Sequence, residues 1–390
     1  MKKIKVMLLL AVSTAVLAFG CGKKEEEPAP EPVVEEVTEQ PLEEIQTDVA
    51  EEEEVDPNRV EPPAGKKFST LTGEVIEKDV YGTRPIAIML PTDKAAQPQY
   101  GIGRAGVLYE CMEEGDMSRQ MAIIEDWQGI ETLGNVRSCR DYYVYWAMEW
   151  DPILVHFGGP YYLASVTTRD DVHNITGCAV NSTNSAPGSN AFYRTTDKVV
   201  PHNAYTSGKK LTEQCENLGY SLEHDWSNFT AEHFLFNRTG GNDLSSAAGS
   251  FEATDISLSK AFPYTKSSLH YDPESGLYKK DLYESKQIDG TTGEQLTFEN
   301  VIIQFAHYEV RDAKGYLAFQ DHDNTHDGYY ITKGKAVHVL WNKTGDFVPT
   351  RFYYDDLSLV DMNPGKTYIA VVQDDRTVNI NGTDYECKNK

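Results

Sequence analysis

The residues with the most chemical potential in this chain are a dispersed set of basic and polar side chains. Arg119 opens an apolar run. Arg137 and Arg140 flank the expected start of a helix in Val136-Arg137-Ser138-Cys139-Arg140-Asp141. His156 stands at the end of Ile153-Leu154-Val155-His156-Phe157, just before Gly158-Gly159-Pro160. Arg194 follows Phe192-Tyr193, and His202-Asn203 follows Pro201. Guanidinium groups bind carboxylate or phosphate through paired hydrogen bonds. Imidazoles add directional bonds and titrate near neutrality. In open α/β sheets, sites form where strand ends meet helix starts. Arg119, Arg137, Arg140, Asp141, His156, Arg194, His202 and Asn203 are therefore the candidate ligand-binding set, expected around one cleft that takes an anionic or glycan ligand. Tyr142, Tyr143, Tyr161, Tyr162 and Tyr193 would wall a sugar site there. The competing expectation is that each arginine forms a private ion pair with Glu110, Glu114 or Asp141.

The same cleft admits two other readings. A hydrolase of glycosidic or phosphodiester bonds would use His156 or His202 as acid or base and Glu110 or Glu114 as carboxylate partner. No Gly-x-Ser-x-Gly elbow is present, so nothing supports an α/β-hydrolase. A scaffold for other envelope proteins would instead show an exposed apolar patch. Whether the protein turns over a substrate stays open, and no catalytic residue is assigned.

Two local motifs are set aside. Gly101-Ile102-Gly103-Arg104-Ala105-Gly106 spells a dinucleotide fingerprint. That fingerprint needs a strand before it and a helix after it, whereas Pro98 precedes it and the strand-like Val107-Leu108-Tyr109 follows. It is expected to be a turn, and no cofactor is expected. Asp321-His322-Asp323-Asn324-Thr325-His326-Asp327 is dense in potential metal ligands. On a helix, His322 and His326 would share a face. Its Asp and Asn residues favour a loop instead, and no metal is assigned.

These residues need a framework to bring them together. Arg84 to Leu90, Gly106 to Met112, Met121 to Trp127 and Ile153 to Phe157 read as strands. Ser138 to Trp150 repeats large apolar residues at helical spacing and is stopped by Asp151-Pro152. A second helix is expected from Ser207 to Leu218. The Gly/Ser/Asn-rich stretch 238–250 reads as a linker. Beyond it come short alternating runs, among them Val301 to Tyr308, Lys335 to Trp341 and Thr367 to Val372. The expected fold class is α+β: a mixed α/β domain over 67–237, then a mostly β domain over 251–390.

The N-terminus supplies location. Lys2, Lys3 and Lys5 precede an apolar run from Val6 to Phe19, which ends in Gly20-Cys21. The run is shorter than the ~20 residues of a membrane span and matches a secretory signal over 1–21. Cys21 is placed as a lipidation site, so the protein is expected outside the cytoplasm, anchored to the cell membrane. Residues 22–66 are crowded with Glu and Pro and are expected to be a disordered acidic stalk. The formal net charge of −25 argues against nucleic acid as a partner; cell-wall glycan and envelope proteins are the partners considered. Besides Cys21, five cysteines remain, an odd number that sets no disulfide framework.

Several stretches, taken in order, resemble the YerB-like lipoproteins, a family of DUF3048-type domains found mainly in Gram-positive bacteria. They include Arg84-Pro85-Ile86-Ala87-Ile88-Met89, Gln97-Pro98-Gln99-Tyr100-Gly101, Gly134-Asn135-Val136-Arg137-Ser138-Cys139-Arg140, His156-Phe157-Gly158-Gly159 and Pro201-His202-Asn203-Ala204-Tyr205. Glu299-Asn300-Val301-Ile302-Ile303 and Pro364-Gly365-Lys366-Thr367 resemble the companion C-terminal domain. Gly106 departs from the family's usual Asp. The resemblance implies architecture and location, and no reaction.

Overall fold

The computed structural model describes residues 60–180, 185–227, 229 and 233–388. The signal segment, Cys21 and most of the expected stalk lie outside them. Lys66, at the expected end of the stalk, already pairs in a strand, Lys66–Phe68, with Val75–Glu77.

The framework is one large mixed sheet. Its strands in chain order are β1 (Ile86–Pro91), β2 (Val107–Met112), β3 (Ser118–Ile124), β4 (Ile153–His156), β5 (Asn174–Thr176), β6 (Phe251–Glu252), β7 (Asn300–Ala306), β8 (Asp323–Thr332), β9 (Lys335–Lys343), β10 (Arg351–Tyr353) and β11 (Thr367–Gln373). Their spatial order is β6-β9-β8-β7-β11-β2-β3-β1-β4-β5, with β10 also beside β9. Every residue of β1, β2, β3, β7 and β11 is buried. Strands covered on both faces read as unbroken apolar runs, which is why Ile86-Ala87-Ile88-Met89-Leu90 shows no alternation.

The sheet runs across the expected boundary at 238–250. β11 pairs in parallel with β7 on one side and with β2 on the other, so strands from both segments are hydrogen-bonded neighbours. All described residues belong to one compact unit. The 238–250 stretch itself is pinned: the Asn242 side-chain amide donates to Tyr354 Oη at 2.8 Å and to the Asp361 carbonyl at 2.8 Å. A second, antiparallel sheet of seven strands includes Asp255–Ser257, Ser268–Asp272 and Leu277–Leu282. In Leu277–Leu282 burial alternates along the strand, the signature of a sheet with one face inward.

Helices are few, in keeping with an α+β class. α1 (Asp141–Met148) packs against the ends of β2 and β3. Tyr142 Oη donates to the Met112 carbonyl at 2.8 Å, and Tyr143 Oη to the Arg119 carbonyl at 2.6 Å. α2 (Gly208–Leu218) starts where Ser207 accepts from the Lys210 amide and ends at Gly219, whose φ of 70° suits a left-handed cap. Both helices are shorter than or close to their expected spans.

Candidate functional site

The basic residues gather at the C-terminal end of β1. In the β1–β3 register Arg119 lies opposite Pro91. After β1 the chain turns through Asp93–Gln97. Residues 137–139 thread between the ends of β1 and β4: the Arg137 amide donates to Met89, and the Phe157 amide donates to the Arg137 carbonyl, each at 2.9 Å. The Cys139 amide donates to Gly158 at 3.1 Å. Three arginines thereby reach one place from separate stretches of sequence.

Two of the three are held by carboxylates. Arg119 donates to Glu113 at 2.5 Å and to the Ser138 carbonyl at 2.7 Å. Arg140 grips Glu114 with Nε and Nη2, a two-point contact with Nε–Oε2 at 2.9 Å, and lies 3.0 Å from Glu113. Burial pushes the Glu113 carboxyl up against the pull of Arg119 and Arg140. Burial also opposes charge on Arg140, but Glu113 and Glu114 outweigh it and hold the guanidinium firmly protonated.

Arg137 is different. Its guanidinium makes no hydrogen bond or ion pair among the described residues, and its Nε is buried. Burial and the neighbouring Arg119 lower its pKa, with Asp93 and Glu113 pulling the other way. Arg119, Arg137 and Arg140 border a polar cavity of about 360 Å³ that also touches Glu113, Glu114 and Tyr316. His202 does not border that cavity; burial lowers its pKa, with Asp93 raising it and Arg137 lowering it.

The other expected members stand elsewhere. His156 is fully buried. Its Nδ1 lies 2.8 Å from the Gly158 carbonyl and its Nε2 lies 3.4 Å from Asn174 Oδ1, so it braces a turn. Asp141 pairs with Arg311 at 2.6 Å. Arg194 donates to Asn203 Oδ1 at 2.7 Å, and its guanidinium carbon sits 4.8 Å from the centre of the Phe157 ring. Tyr142 and Tyr143 belong to the core rather than to a sugar wall, because their hydroxyls are used up on backbone carbonyls.

Glu110, considered as a catalytic carboxylate, is fully enclosed. It accepts from Ser118 at 2.7 Å, Ser267 at 2.6 Å, Gln120 at 3.0 Å and Tyr368 at 2.9 Å, and it pairs with Lys280. A second sealed carboxylate, Glu149, accepts from Tyr109 at 2.8 Å and from the Thr350 amide and hydroxyl at 2.7 Å each, beside Lys343. Sequence reading missed both roles, since a carboxylate, on a strand as at Glu110 or at a helix end as at Glu149, carries no mark of its depth.

The fingerprint-like Gly101–Gly106 forms a turn followed by β2. Two of its amides face the chain's own carboxylate: Gly103 donates to Asp289 Oδ2 at 2.6 Å and Gly101 to Oδ1 at 3.4 Å, while the Thr291 amide also donates to Oδ1 at 2.6 Å. This turn borders a cavity of about 800 Å³. The Asp321–Asp327 segment is partly strand, since β8 begins at Asp323 with an irregular register up to His326. His322 faces Asp346 at 3.1 Å and His326 faces Asp323 at 3.4 Å. Among the described residues no group of three or more such side chains could hold a metal ion, and the five described cysteines are all unbridged.

Comparison with known proteins adds lineage. Residues 71–221 match the model of the "Protein of unknown function (DUF3048) N-terminal domain", and residues 258–369 match that of its C-terminal domain. A candidate lipoprotein of Bacillus subtilis (strain 168), YerB, is 27% identical over 316 residues, which cover 80% of this chain and 88% of the relative. The crystal structure of a Bacillus subtilis YerB protein superposes with a TM-score of 0.67 at 22% identity, covering 80% of this chain and 100% of that one. At that identity the likeness speaks for the fold alone.

Proposed function

The chain belongs to the DUF3048 family, and from that premise we propose that it is an extracytoplasmic lipoprotein whose Arg137 cleft binds an anionic group of a cell-envelope ligand, glycan-borne or otherwise. Cys21 would carry the lipid, 22–66 would act as a spacer, and the body would reach the envelope from the membrane. The lysine-flanked leader ending in Cys21 supports the anchor, as does the relative's description as a candidate lipoprotein.

One observation carries the binding reading. Arg119 and Arg140 are tied down by Glu113 and Glu114, and Arg137 borders the cavity with its guanidinium unspent. Arg137 is half-buried, and a guanidinium Nε buried without an acceptor is costly; an incoming carboxylate or phosphate offsets that cost through charge-assisted bonds. Sedimentation of the protein with purified cell walls at low salt tests this. Arg137→Ala is expected to lower the bound fraction at least tenfold; undiminished binding removes the claim.

A further inference from the structure

The polar cavity beside Arg137 has an aromatic border. Pro160 and Tyr316 line it together with the three arginines. Pro160 leads directly into Tyr161 and Tyr162, which open a short helical turn, Tyr161–Leu163. Tyr316 comes from the hairpin that joins Tyr308–Val310 to Leu317–Phe319. The rings of Tyr162 and Tyr316 meet edge to face with centres 5.9 Å apart, and those of Tyr161 and Tyr162 do so at 5.7 Å. Three rings from two distant stretches thus form one continuous row that starts at the cavity wall. The row is held in place. Tyr162 Oη donates to Asp312 Oδ2 at 3.1 Å, the Arg311 guanidinium carbon lies 4.8 Å from the Tyr162 ring centre, and Arg311 is anchored by Asp141 at 2.6 Å. Arg140, which clamps Glu114, has its guanidinium carbon 5.9 Å from the Tyr316 ring centre. Tyr161, at the end of the row, is 64% exposed and is open to a ligand.

We propose that the ligand of this cleft is an acidic saccharide, with its carboxylate or phosphate on Arg137 and its sugar ring against the Tyr161, Tyr162 and Tyr316 row. This rests on the anion-binding reading above and names the ligand class. An aromatic face is electron-rich, so it attracts the slightly positive C–H groups of a sugar. The hydroxyls of the same sugar suit a cavity walled by Glu113, Glu114, Arg119 and Arg140, where an alkyl chain would leave charged groups unsolvated. Rings already fixed by their neighbours lose little freedom on binding.

Calorimetric titration of the detergent-solubilised full-length protein at low salt tests this with two series of probes. The first is acetate, butyrate and glucuronate; the second is inorganic phosphate, butyl phosphate and glucose 1-phosphate. Each series sets a sugar acid against a bare anion and an alkyl anion. In at least one series the sugar is expected to bind at least tenfold tighter than both comparators, and the series that shows this identifies the acid group. Tyr161→Ala, a change at an exposed side chain, should erase that preference, while Arg137→Ala should weaken all six probes. The saccharide inference is overturned, with the anion reading left standing, if neither sugar outbinds both of its comparators or if the preference survives in Tyr161→Ala. Failure of all six probes to bind overturns the anion reading itself.

Discussion

Lys280 and Glu110 form an ion pair, Nζ to Oε2 at 3.3 Å, in which neither side chain has any exposure. Burial alone would push the Glu110 carboxyl up; Lys280, Ser267, Ser118 and Gln120 outweigh it and bring it below the usual carboxylate range. The pair joins the second sheet to the middle of the first, since Lys280 comes from Leu277–Leu282 and Glu110 from β2.

Breaking that pair from one side leaves an uncompensated buried charge. Glu110→Ala is expected to cost about 3–5 kcal/mol, read from urea unfolding. Glu110→Leu combined with Lys280→Met should cost clearly less than the sum of the two single changes. Additive losses would show that the two residues do not act as a unit.

The arginines of the cleft should separate by role. Arg140→Ala takes from the buried Glu113 one of its two arginines and leaves Glu114 without its clamp, at an expected cost of about 3 kcal/mol. Arg137→Ala removes a side chain with no bonded partner, so its unfolding midpoint should move by no more than about 0.5 kcal/mol. The order of effects on ligand binding should be the reverse, with Arg137→Ala the more damaging. A large stability loss in Arg137→Ala would mark it as a structural residue.

Glu125 sets a pH dependence of unusual sign. Burial, with Asp126 and Glu74 nearby, raises its carboxyl to about 7 despite a hydrogen bond from Ser69. A carboxyl raised on folding contributes stability below its unfolded value of about 4.3. That contribution disappears as pH rises through 7. Glu125→Gln should therefore gain about 3 kcal/mol over the unaltered protein at pH 8 and nothing at pH 4. Equal gains at both values would exclude titration as the cause.

Glu149 works in the opposite direction. Burial raises its carboxyl, but Lys343, His233 and Thr350 hold it far below the ordinary range. Its contribution is fully present above the unfolded value and is lost as pH falls below about 4. Glu149→Gln should be less stable at pH 7 and show a flatter decline on acidification. An unchanged acid slope would assign acid unfolding to other groups.

The Asp289 carboxylate accepts from amides of the Gly101–Gly106 turn. Asp289→Ala frees the amides of Gly103 and Thr291 and is expected to cost about 1–3 kcal/mol. Rescue of the melting temperature by added phosphate in that variant alone would show that the turn is an anion nest filled from within.

Local features were legible in the sequence. The apolar run of β1, the helix cut off by Asp151-Pro152, and Ser207 with Gly219 around α2 each follow from side chains within a few residues of one another. Eight residues were expected around one cleft, and of them Arg119, Arg137 and Arg140 border one cavity. His156 was misjudged because a histidine at a strand end looks the same whether it faces solvent or braces the Gly158 carbonyl. Depth was invisible too: Glu110 and Glu149 gain their partners from residues more than a hundred positions away, such as Ser267, Tyr368 and Thr350.

The insertion of β11 between β7 and β2 has a consequence for the order of assembly. A strand emerging near the end of synthesis completes the centre of the sheet. Until it arrives, β2 and β7 each expose a bare apolar edge, a template for wrong partners. Contacts so far apart along the chain slow folding. A polypeptide cut short before Thr367 should thus clump, however well its earlier stretches form.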